Sequence, residues 1–171
     1  MLASVLCFAG CSDAAPAATV EPSESVAAPV FASDEEALAA AVDTYEKYLD
    51  LSAEVSQEGG VNPERLLPLL DQSYGQKIVE EFQGMERVGL HVVGRGIASA
   101  YRLIEYSTST EDISVYACQS VGSTRIIDVD GSDITPPDRE QVIPMVLVFH
   151  ADLDAGALLS GSTRWSGASF C

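Results

Sequence analysis

The chain has 171 residues, 26 acids against 9 bases, and a formal net charge of −17. That length holds one domain and a tail, and nine dispersed cations exclude most nucleic-acid binding, because phosphate contacts need clustered Lys and Arg. A hydrophobic fraction of 47% excludes a wholly disordered chain, and no apolar run approaches the roughly 20 residues that cross a bilayer.

Residues 1–10 read Met-Leu-Ala-Ser-Val-Leu-Cys-Phe-Ala-Gly, carry no charge, and are followed by Cys11. A short apolar run ending in small residues before a Cys resembles the lipobox of bacterial lipoprotein signal peptides. The likeness rests on Ala9, Gly10 and Cys11, while Phe8 stands where Leu is usual. In that family the Cys becomes the mature N-terminus and carries the lipid. The resemblance therefore implies removal of 1–10, lipidation of Cys11, and a place on the extracytoplasmic face of the cell membrane. The basic segment that opens such peptides is missing, which fits either translation from a start upstream of Met1 or a chain trimmed at its N-terminus. The other reading is an unprocessed apolar N-terminus with a chance Gly-Cys pair.

Residues 12–33 are mainly Ala, Pro, Ser, Thr and Glu, with no basic residue and one aromatic, Phe31. So little apolar surface does not offset ordering entropy, and the composition predicts a tether over 11–33. One acyl chain holds a protein only marginally, so stable anchoring needs more than one. Only three acids lie before residue 34, so a charge of about −14 belongs to the domain expected over 34–171. Two Lys (Lys47, Lys77) and one Asn (Asn62) beside abundant Ala point to a high-GC genome such as an actinobacterium's.

Cys7 and Cys11 belong to the leader, which leaves Cys118 and Cys171 for the domain. Two cysteines in an exported domain more often pair than stay free. Closing a loop of about 54 residues is worth roughly 4 kcal/mol in the chain-entropy model, and it would pin a C-terminal strand that otherwise frays. Two unpaired thiols are the alternative. No CxxC or Cys/His spacing points to a redox motif or a zinc site.

Ser33-Asp34-Glu35-Glu36 has the capping-box pattern. Leu38, Ala41, Val42, Tyr45, Leu49, Ser52 and Val55 then recur at helical spacing, which predicts a helix over 34–57 ending at Gly59-Gly60. Asn62-Pro63-Glu64 opens a short helix through Leu66, Leu67 and Leu70, bent or shortened by Pro68. A third helix is expected over 73–85, burying Tyr74, Ile78 and Phe82.

From Gly89 the period changes to that of strands, expected over 91–97, 100–107, 112–121, 123–129, 141–151, 157–161 and 163–170. Ile113, Val115, Ala117 and Val121 share one face, Tyr116 and Cys118 the other. The nearly continuous apolar run 143–149 predicts a central strand covered on both faces, with Pro144 unpaired or at a bulge.

Helices followed by a long meander of strands make an α+β fold, with N-terminal helices packed on a curved antiparallel sheet. In element order and length, residues 34–171 resemble the nuclear-transport-factor-2-like superfamily, a cone in which a curved sheet wraps an N-terminal helix. Gly60-Val61-Asn62-Pro63-Glu64-Arg65, Val115-Tyr116-Ala117-Cys118 and Trp165-Ser166-Gly167-Ala168-Ser169-Phe170-Cys171 also resemble uncharacterised actinobacterial lipoproteins. That superfamily includes enzymes, transport adaptors and accessory binding domains, so the likeness does not fix function.

A ketosteroid-isomerase-like or polyketide-cyclase-like member would keep an acid or His with a Tyr or Asp partner inside the cone, where burial raises a carboxyl pKa toward its working range. The residues available are His91, Tyr106, Tyr116, Asp128 and His150, none of which matches a catalytic motif of those families. Asp128, Asp130 and Asp133 crowd three carboxylates into six residues, a pattern hard cations such as Ca²⁺ favour. Against this, the Gly is misplaced for an EF-hand loop, Arg139 stands where its Glu would be, and Asp-Gly is a common strand turn. No nucleophile elbow, P-loop or zincin motif appears, and no cofactor is indicated. The sequence thus predicts a non-catalytic, membrane-anchored envelope lipoprotein that binds a small molecule, a peptide or an envelope protein, cationic partners being favoured. The alternative is a secreted isomerase-like or cyclase-like enzyme with its site inside the cone.

Overall fold

The computed structural model describes residues 28–171. The leader, Cys11 and the tether as far as residue 27 lie outside the described residues.

Helix α1 (Asp34–Gln57) begins where the capping box places it: Ser33 Oγ accepts the amide of Glu36, and Glu36 accepts the amide of Ala32 at 2.8 Å. It ends at Gly59 and Gly60, whose φ values of +77° and +88° suit glycine. A Cβ on Gly60 would stand 2.2 Å from the carbonyl oxygen of Phe82, so this turn also lets α2 approach. The short helix expected next, Pro63–Leu69, winds as a 3-10 helix with Pro68 inside it, a residue that has no amide to donate and whose ring crowds the preceding turn. Helix α2 (Gln72–Arg87) starts at Asp71, whose Oδ1 accepts from the amide and hydroxyl of Ser73.

The strands are β1 (His91–Val93), β2 (Ile97–Ser107), β3 (Asp112–Ser120), β4 (Arg125–Ile127), β5 (Val142–Asp152) and β6 (Gly156–Arg164). β2-β3-β5-β6 form a four-stranded antiparallel sheet, and β1 pairs with β4 as a separate antiparallel ribbon. The fold is therefore α+β, with helices before and against an antiparallel sheet.

Register puts Leu103, Val115, Leu147 and Ser162 in one row of the inner face, and Tyr106, Ile113, Phe149 and Leu159 in another. Against these rows α1 buries Ala41, Tyr45, Leu49 and Val55 of the periodic set, with Ala37 besides, while Leu38, Val42 and Ser52 are half-buried. Tyr45, Phe149, Leu147 and Leu159 are nearly or wholly inaccessible, and side chains of this size each contribute about 1.5–3 kcal/mol on burial. Thr44 Oγ1 donates to the carbonyl of Ala157 at 2.8 Å, so the threonine hydroxyl on this buried face is satisfied.

Several expectations need correction. The strand expected over 91–97 stops at Val93, because Gly94 takes φ +91° where a Cβ would stand 2.3 Å from the carbonyl oxygen of Ser123. The strands expected over 157–161 and 163–170 are one strand, β6, and the chain from Trp165 on is irregular. β5 is central as expected, but its outer-face Val146 and Val148 are only half-buried. Pro144 keeps its place in β5 opposite Cys118, its carbonyl accepting the amide of Trp165 at 2.8 Å. The tether was expected to reach residue 33, yet Phe31 is in the core. Its ring meets Tyr106 edge-on at 5.9 Å and its amide donates to the Tyr106 hydroxyl. A lone aromatic in a polar segment was the available signal.

Cys118 and Cys171 are joined in a disulfide. It holds the C-terminal tail on the outer face, where Tyr116 packs between Trp165 (5.5 Å) and Phe170 (4.7 Å), with Arg102 over both Tyr116 and Phe170.

Candidate functional site

The most concentrated polar chemistry lies where α1 passes the edge strand β2. Glu46 and Asp50, one helical turn apart on α1, face Arg95 in the loop between β1 and β2. Arg95 Nη2 donates to Glu46 at 2.7 Å and its Nε donates to Asp50. The other Glu46 oxygen accepts the Tyr101 hydroxyl at 2.6 Å. Ser123 Oγ holds the Arg95 carbonyl at 2.8 Å, which fixes the loop carrying the guanidinium.

A backbone irregularity delivers Tyr101 to this group. Ala100 has φ +53°, and the register slips between Ser99 and Arg102. A bulge shifts the alternation by one residue, so Ala98 and Tyr101 both turn toward α1 while Arg102 faces out. A non-glycine residue in the left-handed region costs about 1 kcal/mol or more, and here that strain aims the phenol at a carboxylate.

Beside the network is an open cleft of about 190 Å³ between α1 and the start of β2, lined by Leu49, Ser52, Gly96, Gln119, Val121 and Thr124. Its inner wall is Gln119, which accepts a long hydrogen bond of 3.3 Å from Tyr45. Ligand pockets for drug-sized molecules occupy about 300–1,000 Å³, so this cleft admits only a small group. Burial pushes the Tyr45 phenol up to about 12. Burial likewise raises Tyr48, Tyr74 and Tyr101, the last also through its bond to Glu46. The bond to Glu46 and, after it, to Asp50 raises Arg95 above its ordinary value against the opposing effect of burial. The phenols are thus held away from the range in which an acid or base works near neutral pH, and those of Tyr45 and Tyr101 serve as hydrogen-bond donors.

The residues singled out from sequence do not converge. His91 is half-buried, with Nδ1 3.2 Å from the carbonyl of Gln57 at the end of α1. His150 lies exposed on the outer face, with Nδ1 3.6 Å from Asp112. Tyr106 donates to Glu111 at 3.0 Å and accepts from Phe31, and Tyr116 belongs to the tail cluster. Asp128 closes a turn, its Oδ1 accepting the amides of Asp130 and Ser132, and Asp133 Oδ1 accepts the amide of Thr135. The calcium candidates Asp128 and Asp133 thus each commit an oxygen to local turns. Among the described residues no group of three or more His, Cys, Asp or Glu comes together as metal ligands would. Sequence reasoning missed Glu46, Arg95 and Tyr101. The i, i+4 acids on α1 and an Arg between two glycines were visible, but the bulge that joins them was not.

No family model matches the chain, and no curated protein matches it. In three dimensions it is similar to the intermembrane-space region of the chloroplast protein ARC6, with a TM-score of 0.56 at 11% identity, covering 76% of this chain and 97% of that one. At that identity the likeness is one of fold. Among the described residues no helix is long and apolar enough to cross a membrane.

Proposed function

We propose that this protein is a cell-envelope lipoprotein, anchored through a lipid on Cys11, whose nuclear-transport-factor-2-like domain binds a partner without catalysing a reaction. The anchor rests on the Ala9-Gly10-Cys11 motif and the Ala/Pro/Ser-rich segment after it. The cone-like form is supported by a long N-terminal helix lying along the inner face of a bulged, twisted antiparallel sheet. One observation carries the non-catalytic reading. Among the described residues no acid or His is fully buried: besides the phenol of Tyr45 the buried polar side chains are Thr44 and Thr124, and Tyr45, Leu147, Phe149 and Leu159 fill the space an enzyme of this form would leave for substrate. The acid next to the interior, Glu46, is tied to Arg95 and Tyr101 and remains about one-third exposed. Contact with a partner then falls to the outer surface and its open clefts.

Two measurements test the two parts of this reading. Cys11→Ala should move the protein from the membrane fraction to the soluble one, and persistence on membranes would overturn the anchor. A 5-ene-3-oxosteroid incubated with the protein should isomerise at the buffer rate; conversion that disappears in Glu46→Gln or Tyr101→Phe would overturn the non-catalytic reading.

A further inference from the structure

Two of the nine basic residues of this acidic chain line one open cavity of about 230 Å³ at the end of the sheet beyond β3 and β5. They are Arg125 and Arg139, accompanied by Asp133, Thr135, Pro136 and Pro137. Arg125 Nη1 donates to the carbonyls of Gly122 (3.0 Å) and Thr124 (2.7 Å). Arg139 Nη2 donates to the carbonyls of Val121 (2.7 Å) and, again, Thr124 (2.6 Å). One oxygen therefore receives both guanidiniums, which sets two positive charges side by side. Neutral carbonyls orient these groups and do not discharge them.

The carboxylate that faces the pair is Asp133, whose Oδ2 is 3.7 Å from Arg125 Nε, too long for a hydrogen bond. Its other oxygen is engaged by the amide of Thr135. Among the described residues Arg139 Nε is buried with no hydrogen-bond partner, so this guanidinium is incompletely satisfied. The cavity thus holds two cations and one anion, a local charge of +1 in a domain of about −14. Guanidiniums that line an open cavity with no carboxylate in hydrogen-bond contact are suited to oxyanions.

We propose that this cavity binds a small monocarboxylate between Arg125 and Arg139, with Pro136 and Pro137 walling its carbon chain. A local charge of +1 matches one carboxylate, whereas a phosphate dianion would leave excess negative charge against Asp133. The inference does not depend on lipidation, since an unanchored chain carries the same cavity.

The test is a titration of the full chain with sodium acetate, reading the side-chain Nε–Hε resonances of Arg125 and Arg139. Sodium chloride at equal ionic strength and inorganic phosphate are run beside it. Acetate should shift both resonances saturably, with a midpoint of about 1–100 mM for a ligand of this size. Arg125→Gln should abolish saturation with the melting temperature kept, and Arg125→Lys should weaken it at least threefold. If Arg125→Gln does not fold, the Lys variant decides. A response no different from chloride, tighter binding of phosphate than of acetate, or saturation unchanged in the variants would overturn the proposal.

Discussion

The hydroxyl of Tyr101 meets the carboxylate of Glu46 at 2.6 Å because the residue before it, Ala100, adopts φ +53° and breaks the alternation of β2. The same carboxylate holds Arg95, so one helix residue ties the loop after β1 and the edge strand to α1. Tyr101→Phe removes the donor and leaves the ring in place. The network is partly exposed, so the loss in urea denaturation should be about 1 kcal/mol, less than for a fully buried charged hydrogen bond.

Cys171→Ser should cost roughly 2–4 kcal/mol, because it frees a chain end that Cys118 restrains in both the folded and unfolded states. Trp165 is the single tryptophan of the chain, and it packs against Tyr116 in the segment that the bond secures. Its fluorescence should therefore shift toward that of solvated indole in the variant, while the far-ultraviolet circular dichroism stays near the wild-type spectrum. An unchanged emission would mean that Tyr116, Phe170 and Arg102 hold the tail unaided.

Gly60→Ala should be among the more damaging single-methyl additions. The position has φ +88°, and the added carbon would stand 2.2 Å from the backbone oxygen of Phe82, which cannot rotate away. A loss of about 2–3 kcal/mol is expected, with α2 displaced from the end of α1. Gly131→Ala serves as the control: its φ is +82°, but among the described residues nothing beyond its chain neighbours lies within 4 Å of the new carbon, so it should cost less.

The tyrosines give a pH dependence whose sign follows from their raised proton affinity. Burial holds the Tyr45 phenol near 12 against an ordinary 10. Its contribution is complete below pH 10 and is lost as pH rises toward 12, because the unfolded chain releases that proton first. Tyr48, Tyr74 and Tyr101 act in the same direction. The urea midpoint should therefore fall between pH 10 and 12, and Tyr45→Phe should flatten part of that fall. A midpoint equally steep in Tyr45→Phe would assign the effect to the other phenols.

Local chemistry was legible in the sequence wherever it acts over a few residues. Ser33 and Glu36 marked the start of α1, Gly59-Gly60 its end, and the alternation of Ile113, Val115 and Ala117 the inner face of β3. What the sequence concealed depends on contacts between distant segments. Gly94 ends β1 because Ser123 packs against it, and Phe31 joins the core because Tyr106 offers both a ring and a hydroxyl. The polar site was hidden for the same reason. Glu46 and Arg95 are 49 positions apart, and a single positive φ at Ala100 decides which way Tyr101 points. Conversely, Asp128 and Asp133 looked like ion ligands in sequence because turn-capping and cation-binding use the same oxygens.

The hydrogen bond from Phe31 to Tyr106 also gives the domain a direction. The N-terminal segment joins the fold beside the β2–β3 hairpin, where β3 begins, whereas Arg125 and Arg139 sit past the opposite end of that strand. Nine strand residues separate these poles by roughly 25–30 Å. The described chain thus enters the fold at the hairpin pole and carries its paired arginines at the pole farthest from that entry.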